Sequence, residues 1–279
     1  MKETRAEYLA VDKLRPFDEH PFKVVDNEEM DQLTWSILTQ GLLTPLVVRP
    51  LDNGEYEVIS GHRRLHACKK AGIETVPALI TDMDRDAAAI ALVDSNLQRE
   101  HILPSEKAYA YKLKLEAMNH QGRTSGQVGQ KWTRDEIAEG ESGRQVQRYI
   151  RLTNLIPGIL QKVDEGRIAL TPAVELSYLT DAEQEDLLET MESEDCTPSL
   201  SQAIQMKALS QSGQLDMDTI FHIMTQPKAN QQEKISFKVS ELRDFFPRHY
   251  TAAQMMQEII LAVKERQQRL ARQRNRDAR

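Results

Sequence analysis

The sequence predicts an α+β N-terminal domain, then an all-α domain, then a small α/β unit at the C-terminal end. Three observations carry that prediction. Short apolar, β-branched runs alternate with helical patterns only as far as about Leu97. After Leu103-Pro104 the pattern is almost wholly helical. A polar stretch from Gln226 to Glu233 then precedes an alternating Ile235, Phe237, Val239 run that reads as one more strand. The expected boundaries are residues 1–103, 104–225, a linker over 226–233, and 234–279.

Leu9-Ala10-Val11 fits an edge strand. Asp26-Asn27-Glu28-Glu29 has the form of a capping box that starts a helix to about Gln40, where Gly41 stops it. Leu46 to Arg49 is a strand, Asp52-Asn53-Gly54 a hairpin turn, and Glu55 to Ile59 the returning strand. A helix from Gly61 to Gly72, a strand over Val76 to Ile80 and a helix from Asp84 to Leu97 complete the first domain. Ser105 can cap a helix to about Asn119, and the Gly- and Ser-rich 121–130 segment reads as a loop. Helices are expected over 133–139 and 143–155 around a tight turn, then from Pro157 to Gly166, and over 172–179, 182–191 and 200–210. Helices starting at Ser240 and Thr251 end the chain, the second running into an Arg-rich tail whose end reads as disordered.

Composition narrows the function classes. The apolar runs are far too short to cross a bilayer, and the first twenty residues hold no secretory signal, so no membrane partner is expected. Cys68 and Cys196 form neither a metal motif nor a disulfide framework, which points to a reducing cytoplasm. The net charge of −7 is unevenly spread. Eight acids and no base lie between Asp181 and Asp195, whereas seven bases stand against Glu265 and Asp277 in the last sixteen residues. This suits a protein with a basic working face and acidic flanks; solvated helix faces are the bland alternative.

Four segments carry chemistry. Residues 58–72 run from an apolar strand through Gly61 into His62-Arg63-Arg64 at a helix start, which forms a phosphate-binding corner or, more plainly, a solvated turn. Gln40 to Arg49 supplies Thr44 and Arg49. Asp94-Ser-Asn-Leu-Gln-Arg-Glu100 brings together Asn96, Arg99 and Glu100, an amide and a carboxylate of the type that suits Mg²⁺. Ser142 to Arg151 offers Ser142, Arg144, Gln145, Gln147, Arg148 and Arg151 as DNA-contacting types, with Val146 and Ile150 facing inward.

In content and order these segments resemble the ParB/RepB-type DNA partition proteins over about residues 5 to 180. The resemblance implies a ParB/sulfiredoxin-like fold followed by a helix-turn-helix at about 133–155. It implies that Thr44 and Arg49 line a CTP pocket, that Gly61, His62, Arg63 and Arg64 form its phosphate corner, and that Asn96 and Glu100 hold Mg²⁺ with Arg99 in support. It also implies a homodimeric clamp on double-stranded DNA at a centromere-like site, nucleoid- or plasmid-associated, with a ParA-type ATPase as a candidate partner. The family usually has Glu where His62 and Ser95 stand, so at most weak CTP hydrolysis is expected. The spacing from Ala138 to Val146 is about two residues shorter than is usual for a helix-turn-helix. A transcription or nucleoid-occlusion regulator on the same scaffold is an alternative. So is a sulfiredoxin-like or phosphotransferase enzyme, although Gly61 stands where sulfiredoxin needs a cysteine thiolate.

Overall fold

The computed structural model describes residues 4–99, 101–124, 141–226, 245–247 and 249–277. Contacts divide the chain into two compact units, Met1–Gln226 and Pro227–Arg279.

The first unit is built on a five-stranded mixed sheet in the order β1-β5-β3-β4-β2. Its strands are β1 (Thr4–Ala10), β2 (Leu14–Pro16), β3 (Leu46–Pro50), β4 (Tyr56–Ser60) and β5 (Thr75–Thr81). β1 pairs antiparallel with β5 and lies at the edge, as expected. β3 runs parallel to β5 and antiparallel to β4. The hairpin between β3 and β4 turns at Gly54, whose φ of 80° belongs to glycine. The three-residue β2 went unforeseen because a strand that short carries no readable alternation.

Helices cover both faces of the sheet, and side-chain alternation sorts the core between them. On one face Leu46, Val48 and Val58 pack with Met30 and Ile37 of α1 (Glu28–Gln40) and Leu65 of α2 (His62–Lys70). On the other, Ile59 and Val47 meet Ala88, Leu92 and Val93 of α3 (Arg85–Leu97), with Ala110 and Ala117 of α4 (Pro104–Thr124). α1 starts at Asn27, whose side chain accepts from the Met30 N–H at 3.0 Å. Asp26, one residue earlier, pairs instead with His66 and Lys70.

A helical region comes next: α5 (Gly143–Arg151), a 3₁₀ turn over Leu152–Asn154, α6 (Pro157–Asp164), α7 (Leu170–Leu176), α8 (Asp181–Ser193), α9 (Leu200–Gln211) and α10 (Met217–Thr225). Leu152, Ile159, Leu176, Leu187, Met206 and Ile220 fill its core. α10 was missed from sequence, although its capping Asp216 and buried Ile220, Ile223 and Met224 obey the usual rule.

Three expectations in the first unit need correction. Ser105 does not cap α4: its N–H and hydroxyl both donate to Asp164, at 2.9 and 2.6 Å. Glu106 accepts the Leu103 N–H instead, at 3.0 Å. Residues 121–124, read as loop, continue α4. Residues 125–130 of that loop and the expected helix over 133–139 lie outside the described residues. The α-helix expected over 143–155 ends at Arg151 and tightens into the 3₁₀ turn.

In the second unit α11 (Ala252–Asp277) starts at Thr251, whose hydroxyl accepts from the Gln254 N–H. The basic end is helical through Asp277 rather than disordered. Gln, Arg, Leu and Ala are strong helix formers, and Glu265 pairs with Arg269 one turn on. The expected strand over 234–239, the linker beyond Gln226 and the helix start at Ser240 lie outside the described residues.

Candidate nucleotide and nucleic-acid sites

The strand-to-helix corner closes tightly around Gly61. Its φ of 105° and ψ of 26° are left-handed. A Cβ there would stand 2.6 Å from Leu46 Cδ2 and 3.0 Å from an Arg64 nitrogen, so no side chain fits. Arg64 folds back onto the preceding turn and donates to the Thr44 and Pro45 carbonyls at 2.6 and 2.9 Å. Burial pushes its pKa down, yet a guanidinium stays charged at neutral pH.

Beside this corner lies a cavity of about 460 Å³, lined by Leu33, Ser60, Gly61, His62, Arg63, Arg64, Ser95, Asn96 and Arg99. Three guanidiniums face one space with no carboxylate in the described lining. Burial, then the nearby Arg63 charge, pushes the Arg99 pKa down. Arg99 also lies over the Phe22 ring, 5.5 Å from its centroid. Cations crowded into a half-buried space repel one another, and an anion relieves that repulsion. The N-terminus of α2 adds peptide N–H groups of the same sign.

The sequence-derived site residues divide three ways. Gly61, His62, Arg63, Arg64, Asn96 and Arg99 come together at this cavity. Thr44 and Arg49 are absent from its lining. Thr44 meets the corner through its carbonyl, and Arg49 donates from Nε to Glu57 Oε2 at 2.6 Å, directly across the β3–β4 ladder. Glu100 lies outside the described residues. Sequence reasoning missed Leu33 and Ser60 as lining residues; the helical register of α1 and the adjacency of Ser60 to Gly61 were the available signals.

The His62 ring is committed to the interior. Its Nε2 accepts the Phe17 N–H at 3.3 Å, and it packs against His20 with centroids 3.7 Å apart and ring planes tilted by 40°. Burial, His20 and Arg99 hold its pKa down at about 3, so the ring is neutral. Asn96 is buried, and its amide nitrogen donates to the Leu92 carbonyl at 2.8 Å. That fixes the amide and leaves Oδ1 without a partner among the described residues. The neutral oxygens of Ser60, Ser95 and Asn96 fit a Mg²⁺ that arrives already bound to phosphates. They do not make a stand-alone metal site, and no group of three His, Cys, Asp or Glu does so among the described residues. Cys68 is fully buried and its thiol pKa is raised by burial, which suits a packing residue.

α5 forms the second candidate surface. Ser142 caps it, accepting from the Gln145 N–H at 3.3 Å. Val146 is fully buried with Tyr111 and Met118 of α4. The opposite stripe carries Arg144, Gln147, Arg148 and Arg151 at helical spacing, and α5 holds no acid. Arg144 is exposed. Arg148 donates to Gln145 Oε1 and Thr171 Oγ1, at 3.1 and 2.6 Å. Arg151 is turned aside: it donates to the Ser177 carbonyl at 3.0 Å and sits 3.7 Å from the Tyr178 ring centroid. No described helix is long and apolar enough to cross a membrane.

Comparison with known proteins gives a consistent picture. A family model for the ParB N-terminal domain matches residues 1–97. The probable chromosome-partitioning protein ParB of Vibrio cholerae is 30% identical over 238 residues, which cover 84% of this chain and 77% of that protein. A nucleoid occlusion protein of Listeria innocua is 29% identical over 260 residues, covering 85% of this chain and 87% of that protein. The C-terminally truncated ParB of Caulobacter crescentus, solved as a complex with the centromeric parS site, aligns with a TM-score of 0.43 at 23% identity, over 74% of this chain and 99% of that one. The match to the first domain and the extent of the Vibrio cholerae alignment place this chain in the ParB family.

Proposed function

We propose that this chain is a DNA-binding partition protein that seats the triphosphate of CTP in the arginine cavity and contacts duplex DNA through α5. One observation carries the reading: Arg63, Arg64 and Arg99 share a cavity without a described carboxylate, beside a glycine that admits no side chain. Arg64 is pre-oriented by two carbonyls, so it loses little freedom when it meets a phosphate. Arg63 and Arg99 supply further charge, and the α2 N-terminus supplies N–H donors. Mg²⁺ carried in on the nucleotide would meet Asn96 Oδ1, with Glu100 as the sequence-derived second ligand. Thr44, Arg49 and His62 shape the wall behind the corner rather than touching the phosphates.

On α5, Arg144, Gln147 and Arg148 are the groups that reach the duplex, with Gln145 and Ser142 at the helix start. Arg151 acts as a strut. α5 is the second helix of the helix-turn-helix that the resemblance implies over about 133–155; the first falls outside the described residues. We treat residues 1–103 as the nucleotide domain, 104–225 as the DNA-binding domain, and 234–279 as a small C-terminal unit. We extend the reading to a homodimer and a nucleoid or plasmid location, with a ParA-type ATPase as a candidate partner. The Listeria innocua relative favours a second reading, a nucleoid-occlusion regulator on the same scaffold.

Genome-wide mapping of bound DNA separates the readings. A sharp peak with broad shoulders supports a partition clamp; isolated narrow peaks support a regulator; no enrichment refutes both. In vitro, Arg63→Ala should abolish CTP binding. Arg148→Ala should weaken binding to the mapped site by roughly 10- to 100-fold, the worth of one good base or phosphate contact.

A further inference from the structure

Four side-chain contacts join the start of α1 to one face of α2, three of them ion pairs and one a histidine–carboxylate hydrogen bond. Lys70 reaches Asp26 and Asp31, His66 reaches Asp26, and Arg63 reaches Glu29 at 3.1 Å. The first three lie away from the cavity. The Arg63 pair differs, because Arg63 lines the cavity and Glu29 does not. Glu29 and Leu33 stand one turn apart on α1, and Leu33 lines the same cavity. The face of α1 that walls the cavity therefore presents a carboxylate to one of its three guanidiniums.

We propose that Glu29 is an internal competitor for the anion that this cavity receives, lowering its affinity by holding Arg63 in the empty state. This rests on the reading of the cavity as a phosphate site. A phosphate that takes Arg63 must displace the Glu29 carboxylate or share the guanidinium with it. Glu29 is 70% exposed and Arg63 40%, so the pair is solvent-screened and readily exchanged. Glu29 also lies in the first turn of α1, where the helix dipole favours a carboxylate and holds it in place. The competitor is thus weak, and it sets affinity without blocking the site.

Glu28 provides the control. It precedes Glu29 in the same turn, carries the same charge and takes no part in the charge pair with Arg63. Glu28→Gln and Glu29→Gln change the net charge and the helix-end electrostatics equally, but only the second releases Arg63.

The test is titration of CTP into the full chain and its variants at low ionic strength, where surface charge pairs count most. Glu29→Gln should tighten CTP binding by about two- to fivefold, the range of an exposed ion pair, while Glu28→Gln changes it less than half as much. The gain should shrink as salt is raised. Equal effects of the two variants would overturn the proposal, since only net charge would then matter. Unchanged or weaker binding by Glu29→Gln would also overturn it while leaving the phosphate reading intact, provided that wild type binds and Arg63→Ala does not. No binding by wild type would defeat the phosphate reading and this inference with it.

Discussion

Lowering the pH should destabilise the first unit through the His20–His62 pair, whose rings pack against each other. Burial holds both rings neutral, His62 at about 3 and His20 at about 4, against an ordinary value of 6.5. Because the folded values are depressed, the unfolded chain binds more protons between pH 6.5 and about 3. The stability tied to the neutral rings is therefore fully present above pH 6.5 and is lost as pH falls toward 3. At pH 4.5 His62 alone accounts for a loss of roughly 3 kcal/mol, from about 1.4 kcal/mol per pH unit below its unfolded value. His20 adds less than a second full share, since rings 3.7 Å apart titrate as a pair. The assay is urea unfolding at pH 7 and pH 4.5 of wild type and a His20→Gln/His62→Gln variant, with the histidine ring protons monitored by NMR. Carboxylate titration is common to both proteins and drops out of the comparison. The wild type should lose at least roughly 3 kcal/mol more than the variant over that interval, the His62 share plus the smaller one of His20. Parallel pH curves, or a His62 ring titrating near its ordinary value, would refute the burial argument.

Other perturbations probe the corner, the strut and the joint to the helical region. Gly61→Ala forces a left-handed alanine against Leu46 and should cost roughly 2 to 4 kcal/mol, read as a fall in thermal midpoint, with CTP binding lost in whatever fraction remains folded. Arg151→Ala should cost roughly 1 to 3 kcal/mol by removing the Ser177 bond and the Tyr178 contact, whereas Arg144→Ala should leave stability within about 0.5 kcal/mol and weaken DNA binding; equal stability of the two variants would contradict the strut role. Asp164→Ala leaves the Ser105 N–H and hydroxyl without their acceptor and should cost roughly 2 to 4 kcal/mol in chemical denaturation, an effect that Asp164→Asn recovers in part.

The part of the site legible in the sequence is the part made by neighbours along the chain. Gly61, Arg63 and Arg64 are fixed by a strand ending and a helix beginning, and Asn96 and Arg99 by the end of one helix. Arg49 shows where such reading stops. It falls in a segment that resembles a nucleotide-binding one, yet it is registered opposite Glu57, and an acid across a strand pair takes up its guanidinium. Arg151 shows the same limit: its helical stripe points to DNA, while Ser177 and Tyr178, far along the chain, hold it down. Nothing local announces either partner.

By itself the sequence determined the order of most strands and helices up to Leu97, the glycine corner and the helical character of the chain beyond Leu103, because hydrophobic period, caps and turn residues act over a few positions. Only the tertiary structure decided that His62 turns inward against His20, that Ser105 anchors to Asp164 rather than capping α4, and that Glu29 reaches Arg63. Those contacts join residues 34 to 59 positions apart, and their energies depend on burial and distance that exist only once the helices have packed on the sheet and on one another.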